Sequence, residues 1–303
     1  MKRTKHQNIN GWLIIDKPQG LGSTDVVNQT RHLFDANKNG HAGTLDPFAT
    51  GVLPIAFGEA TKLIPYVMDG SKEYEFVLRF GFSTNTDDVE GTSVQTGGKT
   101  PSKEEILNIL PYFVGKIEQT PPPYSAIKIN GKRAYKLARA GENFEIPSRS
   151  VTIESLELLE QVDENSFSFR VRCSKGTYVR ALGRDIALKL NTFGHLTSLR
   201  RTKCGFFCIR DTILLENVKK MVYESHQQDF LLPISTPLRD IAALAITAED
   251  AVKLRLGQSL SPKNYDVQKY IGQTVAAFEK DCLTALVTID ERKISPIRVF
   301  NLN

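Results

Sequence analysis

Apolar positions along the chain follow two periods. "YEFVLRFGF" places Tyr74, Phe76, Leu78, Phe80 and Phe82 on one side of an extended segment, the two-residue repeat of a half-buried strand. "SFSFRVRC" alternates in the same way. After the turn "SKG" the period lengthens, and Val179, Leu182, Ile186 and Leu190 in "TYVRALGRDIALKL" fall on one face of a predicted helix. "STDVVNQTRHLF" predicts a helix with Ser23 or Thr24 as N-cap, and "TPSKEEILNIL" another, with Pro101 in its first turn and a capping box from Ser102 to Glu105. "GWLIIDKPQG" is a short apolar strand closed by a Pro-Gly turn, and Asn130-Gly131 in "AIKINGKRAY" is the strongest hairpin signal in the chain. Helices and strands mix without a βαβ rhythm. The expected fold is α+β, a mixed, largely antiparallel sheet with flanking helices.

At 303 residues the chain suits one large domain and a smaller one. "DFLLPISTPLRD" carries two prolines and reads as a linker. Beyond it a helix capped by Thr247 and the strands "TVAAFE" and "LTALVTID" predict a small β-rich module, so the expected domains are 1–236 and 237–303. No apolar run approaches 18 residues, which predicts no membrane span. The opening "MKRTKHQNINGW" lacks the apolar stretch of a signal peptide, so a cytoplasmic location is expected. Cys173, Cys204, Cys208 and Cys282 show no disulfide-framework spacing. The pair at 204 and 208 flanks "GFF" without a second pair, so no metal site is expected.

The net charge of +5 is unevenly spread. Between Tyr124 and Ser150, Lys128, Lys132, Arg133, Lys136, Arg139 and Arg149 face only Glu142 and Glu145, whereas from Asp240 onward the chain holds eight charges of each sign. A basic stretch interleaved with Tyr124 and Tyr135 points toward nucleic acid.

Two phosphate-binding patterns fail. "SVQTGGKT" has Ser93 where a P-loop needs its first glycine, and "GLGSTD" lacks the third glycine of a dinucleotide fingerprint. What remains is "GHAGTLDPFATG", where three glycines and a proline constrain a loop holding one carboxylate, Asp46. Asp before Pro is a routine helix start, and the local pattern alone favours that over catalysis. Arg180 stands in the first turn of its predicted helix, where the helix dipole disfavours a cation, which points to an anionic partner. Tyr74, first on the apolar face of its strand, can serve either as core or as a stacking platform for a base.

Together "DKPQGLGS", "GHAGTLDPFATGVLP", "GEATK", "SKEYEF", "TNTDDVEG", "PPPYSAIKINGKRAY", "CSKGTYVRAL" and "SLRRT" resemble, in order and spacing, the bacterial tRNA pseudouridine-55 synthases of the TruB family. The resemblance covers about residues 9 to 210, and the last 60 residues look like the PUA-type RNA-binding module of such enzymes. It implies a pseudouridine synthase fold and an isomerase that detaches uracil through N1 and reattaches it through C5, with Asp46 as the catalytic residue and no cofactor. It further implies that Tyr74 stacks on the uracil, that Arg180 pairs with Asp46 while Asp88 holds Arg180 from its other side, and that Tyr178 and Leu199 line the base pocket. His41 would occupy the space left by the flipped nucleotide. Lys17 and Lys62 would be backbone contacts or pocket supports, and the basic hairpin at about 124–150 a mobile RNA-gripping element using Lys128, Lys132, Arg133, Lys136 and Arg139. Asn85 stands where the family usually has Asp, while Asp87 and Asp88 are retained.

The implied partner is tRNA, bound through its T-arm, by a monomer without an obligate protein partner. An RNA-guided relative shares these motifs but usually carries extra terminal segments, so the early first motif and short tail favour the stand-alone form. A tRNA-binding or RNA-folding protein is the reading from another class; Asp46, Tyr74 and Arg180 together argue against that as the sole role.

Overall fold

The computed structural model describes residues 7–224 and 230–302. The strands β1 (Gly11–Lys17), β2 (Asn39–His41), β3 (Thr50–Phe57), β4 (Lys72–Phe80), β5 (Phe82–Thr84), β6 (Ser93–Thr96), β7 (Gly115–Gln119), β8 (Lys128–Ile129) and β9 (Lys132–Arg133) fill the first half. Then come β10 (Arg149–Asp163), β11 (Ser166–Cys173), β12 (Gly194–Cys204), β13 (Phe207–Cys208) and β14 (Ile213–Leu214), and last β15 (Ala243–Ala245), β16 (Thr274–Glu279), β17 (Cys282–Ile289) and β18 (Ile294–Val299). The helices are α1 (Ser23–Leu33), α2 (Ile64–Asp69), α3 (Lys103–Ile109), α4 (Ala134–Arg139), α5 (Val179–Lys189), α6 (Leu215–Glu224) and α7 (Ala248–Arg255).

One large sheet runs in the order β14-β1-β3-β12-β4-β11-β10-β7. Its pairs are antiparallel except β1 with β14 and β3 with β12, so the expected mixed, largely antiparallel architecture is what forms. Central strands are covered on both faces. In β1, Leu13 and Ile15 enter one core with Val26 of α1, while Trp12 and Ile14 enter a second with Leu238, Leu286 and Phe300. That explains the near-continuous apolar run "WLII", which alternation alone would not produce.

Several local expectations need correction. The cap of α1 is Gly22, whose N–H bonds the Asp25 carboxylate, because the Ser23 hydroxyl is engaged elsewhere. Pro101 precedes the N-cap Ser102 rather than lying within α3, although the capping box to Glu105 forms. The segment read as a linker is bound to the large sheet: Trp12 and Leu232 exchange backbone hydrogen bonds, and the Trp12 indole donates to the Ile234 carbonyl. Sequence showed its prolines but not the unsatisfied edge of Trp12 that recruits it. The tail forms its own sheet, β15-β16-β17-β18, with α7 capped by Thr247. Its strands are two-sided, since Ala277 and Val287 pack inside this unit while Ala276 and Leu286 pack against the large sheet's core.

The parallel junction of β3 with β12 is short, Arg200 opposite Thr50 and Arg201 opposite Gly51. The backbones meet so closely that a Cβ on Gly51 would fall 2.2 Å from the Arg201 carbonyl oxygen, at φ +98°. Gly20 has a similar φ of +86° but open space around it. Gly20→Ala therefore reports the backbone term alone, about 1–3 kcal/mol. Gly51→Ala should cost clearly more in urea unfolding; equal costs would show that the junction yields.

Candidate active site

Asp46 lies on the loop from β2 to β3. Apolar side chains pin this loop: Ala42 enters one core and Leu45, Phe48 and Ala49 the other, leaving Thr44, Asp46 and Pro47 outside. The helix start expected at Asp46-Pro47 does not form. Ala49 N–H bonds the Asp46 carbonyl at 3.1 Å in a single turn with Pro47 at its second position, and the chain then enters β3 because its residues pair with β1. Ser23 holds the loop from α1: its hydroxyl donates to the Leu45 carbonyl at 2.9 Å and accepts from the Leu45 N–H at 2.8 Å. Buried Lys17 donates to the carbonyls of Pro18, Leu21 and Pro47.

Arg180, in the first turn of α5, answers the electrostatic anomaly of its position. Its Nε is 2.9 Å from Asp46 Oδ2 and its Nη1 3.3 Å from Asp88 Oδ2, with the Arg180 and Asp88 side chains both 4% exposed. The Nε contact is an ion pair rather than an aligned hydrogen bond, since Nε counts among the buried donors without a hydrogen-bond acceptor. Nη1 also donates to the Thr86 carbonyl at 2.7 Å and Nη2 to the Tyr124 carbonyl at 3.0 Å. One guanidinium thus joins the Asp46 loop, the 86–88 loop and the start of the basic insertion. Burial pushes the Asp88 carboxyl up, against the downward pull of the Thr86 hydroxyl and Arg180.

These groups open onto a cavity of about 970 Å³ lined by Asp46, Tyr74, Tyr178, Arg180 and Leu199 among others. Burial pushes the Tyr74 hydroxyl up to about 12. Arg149 lies over the Tyr178 ring at 4.6 Å, and Gln119 fixes Tyr178 by accepting from its N–H at 2.8 Å and donating to its carbonyl at 3.1 Å. The hairpin turns at Asn130-Gly131, both at positive φ. Lys128, Lys132, Arg133, Lys136 and Arg139 are exposed along it and α4, and Arg139 also reaches the cavity rim.

Lys62, Lys17 and His41 do not line this cavity. Lys62 pairs with Glu59 at 2.6 Å and donates to the Val299 carbonyl of β18, so its ammonium is spent between the large sheet and the tail; a substrate contact is not what this geometry offers. Lys17 is fully buried on three carbonyls and supports the Asp46 loop rather than meeting a substrate. Burial lowers it to about 8. His41 sits on β2 beside the loop, and burial and the Arg201 charge push its imidazole down, toward the neutral form.

A model of the TruB family pseudouridylate synthase N-terminal domain matches residues 31–179, and one of the tRNA pseudouridylate synthase B C-terminal domain matches 180–239. The chain is 45% identical to tRNA pseudouridine synthase B of Caulobacter vibrioides and 46% identical to that of Rhodospirillum rubrum, each over 99% of both chains. The chain belongs to the TruB family. Among solved structures, a Cbf5-Nop10-Gar1 complex contains a chain of the same fold, with a TM-score of 0.73 at 25% identity, covering 96% of this chain and 84% of that one. An H/ACA RNP bound to a substrate RNA containing 2′-deoxyuridine contains another, with a TM-score of 0.73 at 23% identity, covering 96% of this chain and 85% of that one.

Within this TruB-family site, sequence reasoning missed three residues. Ser23 was legible only as a cap, Arg201 only as one of two arginines in "SLRRT", and Gln119 not at all; none has a local signal, because each acts on backbone distant in sequence. Asn85, the departure from the family's usual Asp, accepts from the Thr92 N–H and stabilises its own loop instead of touching Arg180.

The buried geometry makes a stability prediction. Arg180→Met leaves Asp88 charged and unpaired and should cost about 3–5 kcal/mol. In the double variant Arg180→Met/Asp88→Asn that orphaned charge is gone, so urea melts should show part of the loss recovered. A double variant as unstable as the sum of both singles would contradict a direct pair.

Proposed function

We propose that this chain isomerises uridine to pseudouridine in the T-loop of tRNA, at position 55, acting alone and without a cofactor. The observation that carries this is Asp46 held by Arg180 at the mouth of a cavity with Tyr74, Tyr178 and Leu199 on its walls. The relatives named tRNA pseudouridine synthase B, matched over nearly the whole chain, support the substrate.

Asp46 is the catalytic carboxylate, acting as nucleophile on C1′ or C6, or as base toward the sugar. Arg180 fixes its orientation through an ion pair whose other carboxylate, Asp88, keeps the guanidinium in place. The target base leaves its stack to reach this depth, lies against Tyr74 and fits between Tyr178 and Leu199. His41, beside the loop, takes the space the base vacates; as a neutral ring it does so without a charge to desolvate. The exposed cations of the hairpin and α4 grip the phosphate backbone from the rim. The tail sheet acts as a PUA-like RNA-binding module on residues 237–303, with residues 1–236 as the catalytic unit, and the protein works as a cytoplasmic monomer. No helix among the described residues is long and apolar enough to cross a membrane. The RNA-guided alternative draws on fold neighbours of 23–25% identity, well below the 45% of a relative named tRNA pseudouridine synthase B.

Incubation of the purified protein with a tRNA transcript tritiated at uridine C5 tests the proposal. Tritium should be released stoichiometrically with the T-loop uridine, and Asp46→Asn should abolish release. No release from any tRNA, without guide RNA or added protein, would sink it.

A further inference from the structure

Beside Arg180, two further buried cations line the Asp46 cavity, and neither is paired with a carboxylate. Arg201, 1% exposed, donates from Nε to the Val52 carbonyl at 2.7 Å and from Nη2 to the Gly43 carbonyl at 3.0 Å, and it stands opposite Tyr74 in the register of β12 with β4. Lys72, 7% exposed, donates to the Met68 and Gly70 carbonyls at the end of α2. The carboxylate that acts on Lys72, Asp69, is engaged elsewhere, paired with Lys175 at 2.8 Å. Among the described residues, neither Arg201 nor Lys72 forms an ion pair, in contrast to Arg180, which has two. Carbonyl dipoles solvate these charges without cancelling them. Two adjacent buried cations lower stability unless something negative arrives between them.

We infer that Arg201 and Lys72 stabilise the negative charge that the uracil ring takes up when its bond to ribose breaks. This rests on the uridine-isomerase reading. When the C1′–N1 bond opens, its electron pair leaves with the base and spreads over N1, O2 and O4. The deficit at C1′ is met by a bond from the Asp46 carboxylate or by loss of the C2′ proton. Closure forms the C5–C1′ bond while the Asp46–C1′ bond breaks or the C2′ proton is returned; the C5 proton departs and N1 takes up a proton, so the sum is an isomerisation. The charge exists only between bond breaking and bond making, which is when preorganised cations in a water-poor site contribute to rate rather than to affinity. Tyr74 brings the two together: it stands opposite Arg201 across the strand pair, both line the cavity, and its ring face is the surface on which the uracil lies. Arg201 and Lys72 are therefore assigned as catalytic residues acting on the base, opposite Asp46, which acts on the sugar or C6.

The test is a single-turnover measurement with T-arm stem-loop RNA whose target is either uridine or 5-fluorouridine, following loss of the target nucleoside after nuclease digestion. Fluorine at C5 withdraws electrons, so the departing base needs less help from the protein. Lys72→Met and Arg201→Met should slow uridine conversion by about 100-fold, but 5-fluorouridine conversion by about tenfold or less, with RNA affinity within about twofold. Lys72→Arg should keep most of the rate. Equal losses on both bases would make these residues merely structural, and a loss of affinity would make them phosphate contacts; either result overturns the inference. If Arg201→Met does not fold, the Lys72 variants decide. A wild-type protein inactive on uridine RNA would instead remove the isomerase reading itself, before any variant is compared.

Discussion

The ion pair between Arg180 and two carboxylates is the constraint around which the site is organised. A guanidinium with almost no solvent exposure must find its acceptors inside the protein, and here they come from three distant segments: Asp46, the Thr86 carbonyl with Asp88, and the Tyr124 carbonyl. Each segment is a loop that would otherwise have many conformations. Losing any one contact leaves a buried charge poorly solvated, which is why the three loops are held in register. The Tyr124 carbonyl, at the start of the basic insertion, shares this anchor with Asp46, while Arg184 holds the same segment separately through the Thr120 carbonyl.

The sheet supplies the place for this pair. Where β3 and β12 run parallel, only two residue pairs hold them, and the loop carrying Asp46 leaves the sheet there. Closely packed backbone at Gly51 and the buried Arg201 guanidinium under Gly43 set the loop's path. Apolar anchors in both cores then hold the 43–47 stretch of the loop, with Asp46 in it, against the cavity. Two arginines divide the work, Arg180 holding the carboxylate and Arg201 the backbone that carries it and the tyrosine opposite.

Much of this was legible beforehand, for local reasons. Alternation found β4 and β11, helical spacing found α5, and Asn130-Gly131 found the hairpin, because each is a short-range pattern. The cation in the first turn of α5 betrayed its anionic partners without any structure. What sequence could not show depends on contacts between distant segments. Asp46-Pro47 reads equally as a helix start or a turn until β1 pairs with β3 and takes the following residues. Lys62 belongs to a motif with the site but spends its charge on β18, and Ser23 abandons its expected cap for the Leu45 backbone. The proline-rich segment before the tail passes for a linker until Trp12 is seen to bind it.

Arg180 serves the carboxylate and not the RNA backbone. The direct measurement is the single-turnover rate at saturating protein beside the dissociation constant for T-arm RNA, in Arg180→Ala and wild type. The rate should fall by at least about 100-fold with affinity nearly unchanged. Collapsed affinity with an intact rate at saturation would make Arg180 a phosphate contact and contradict this role.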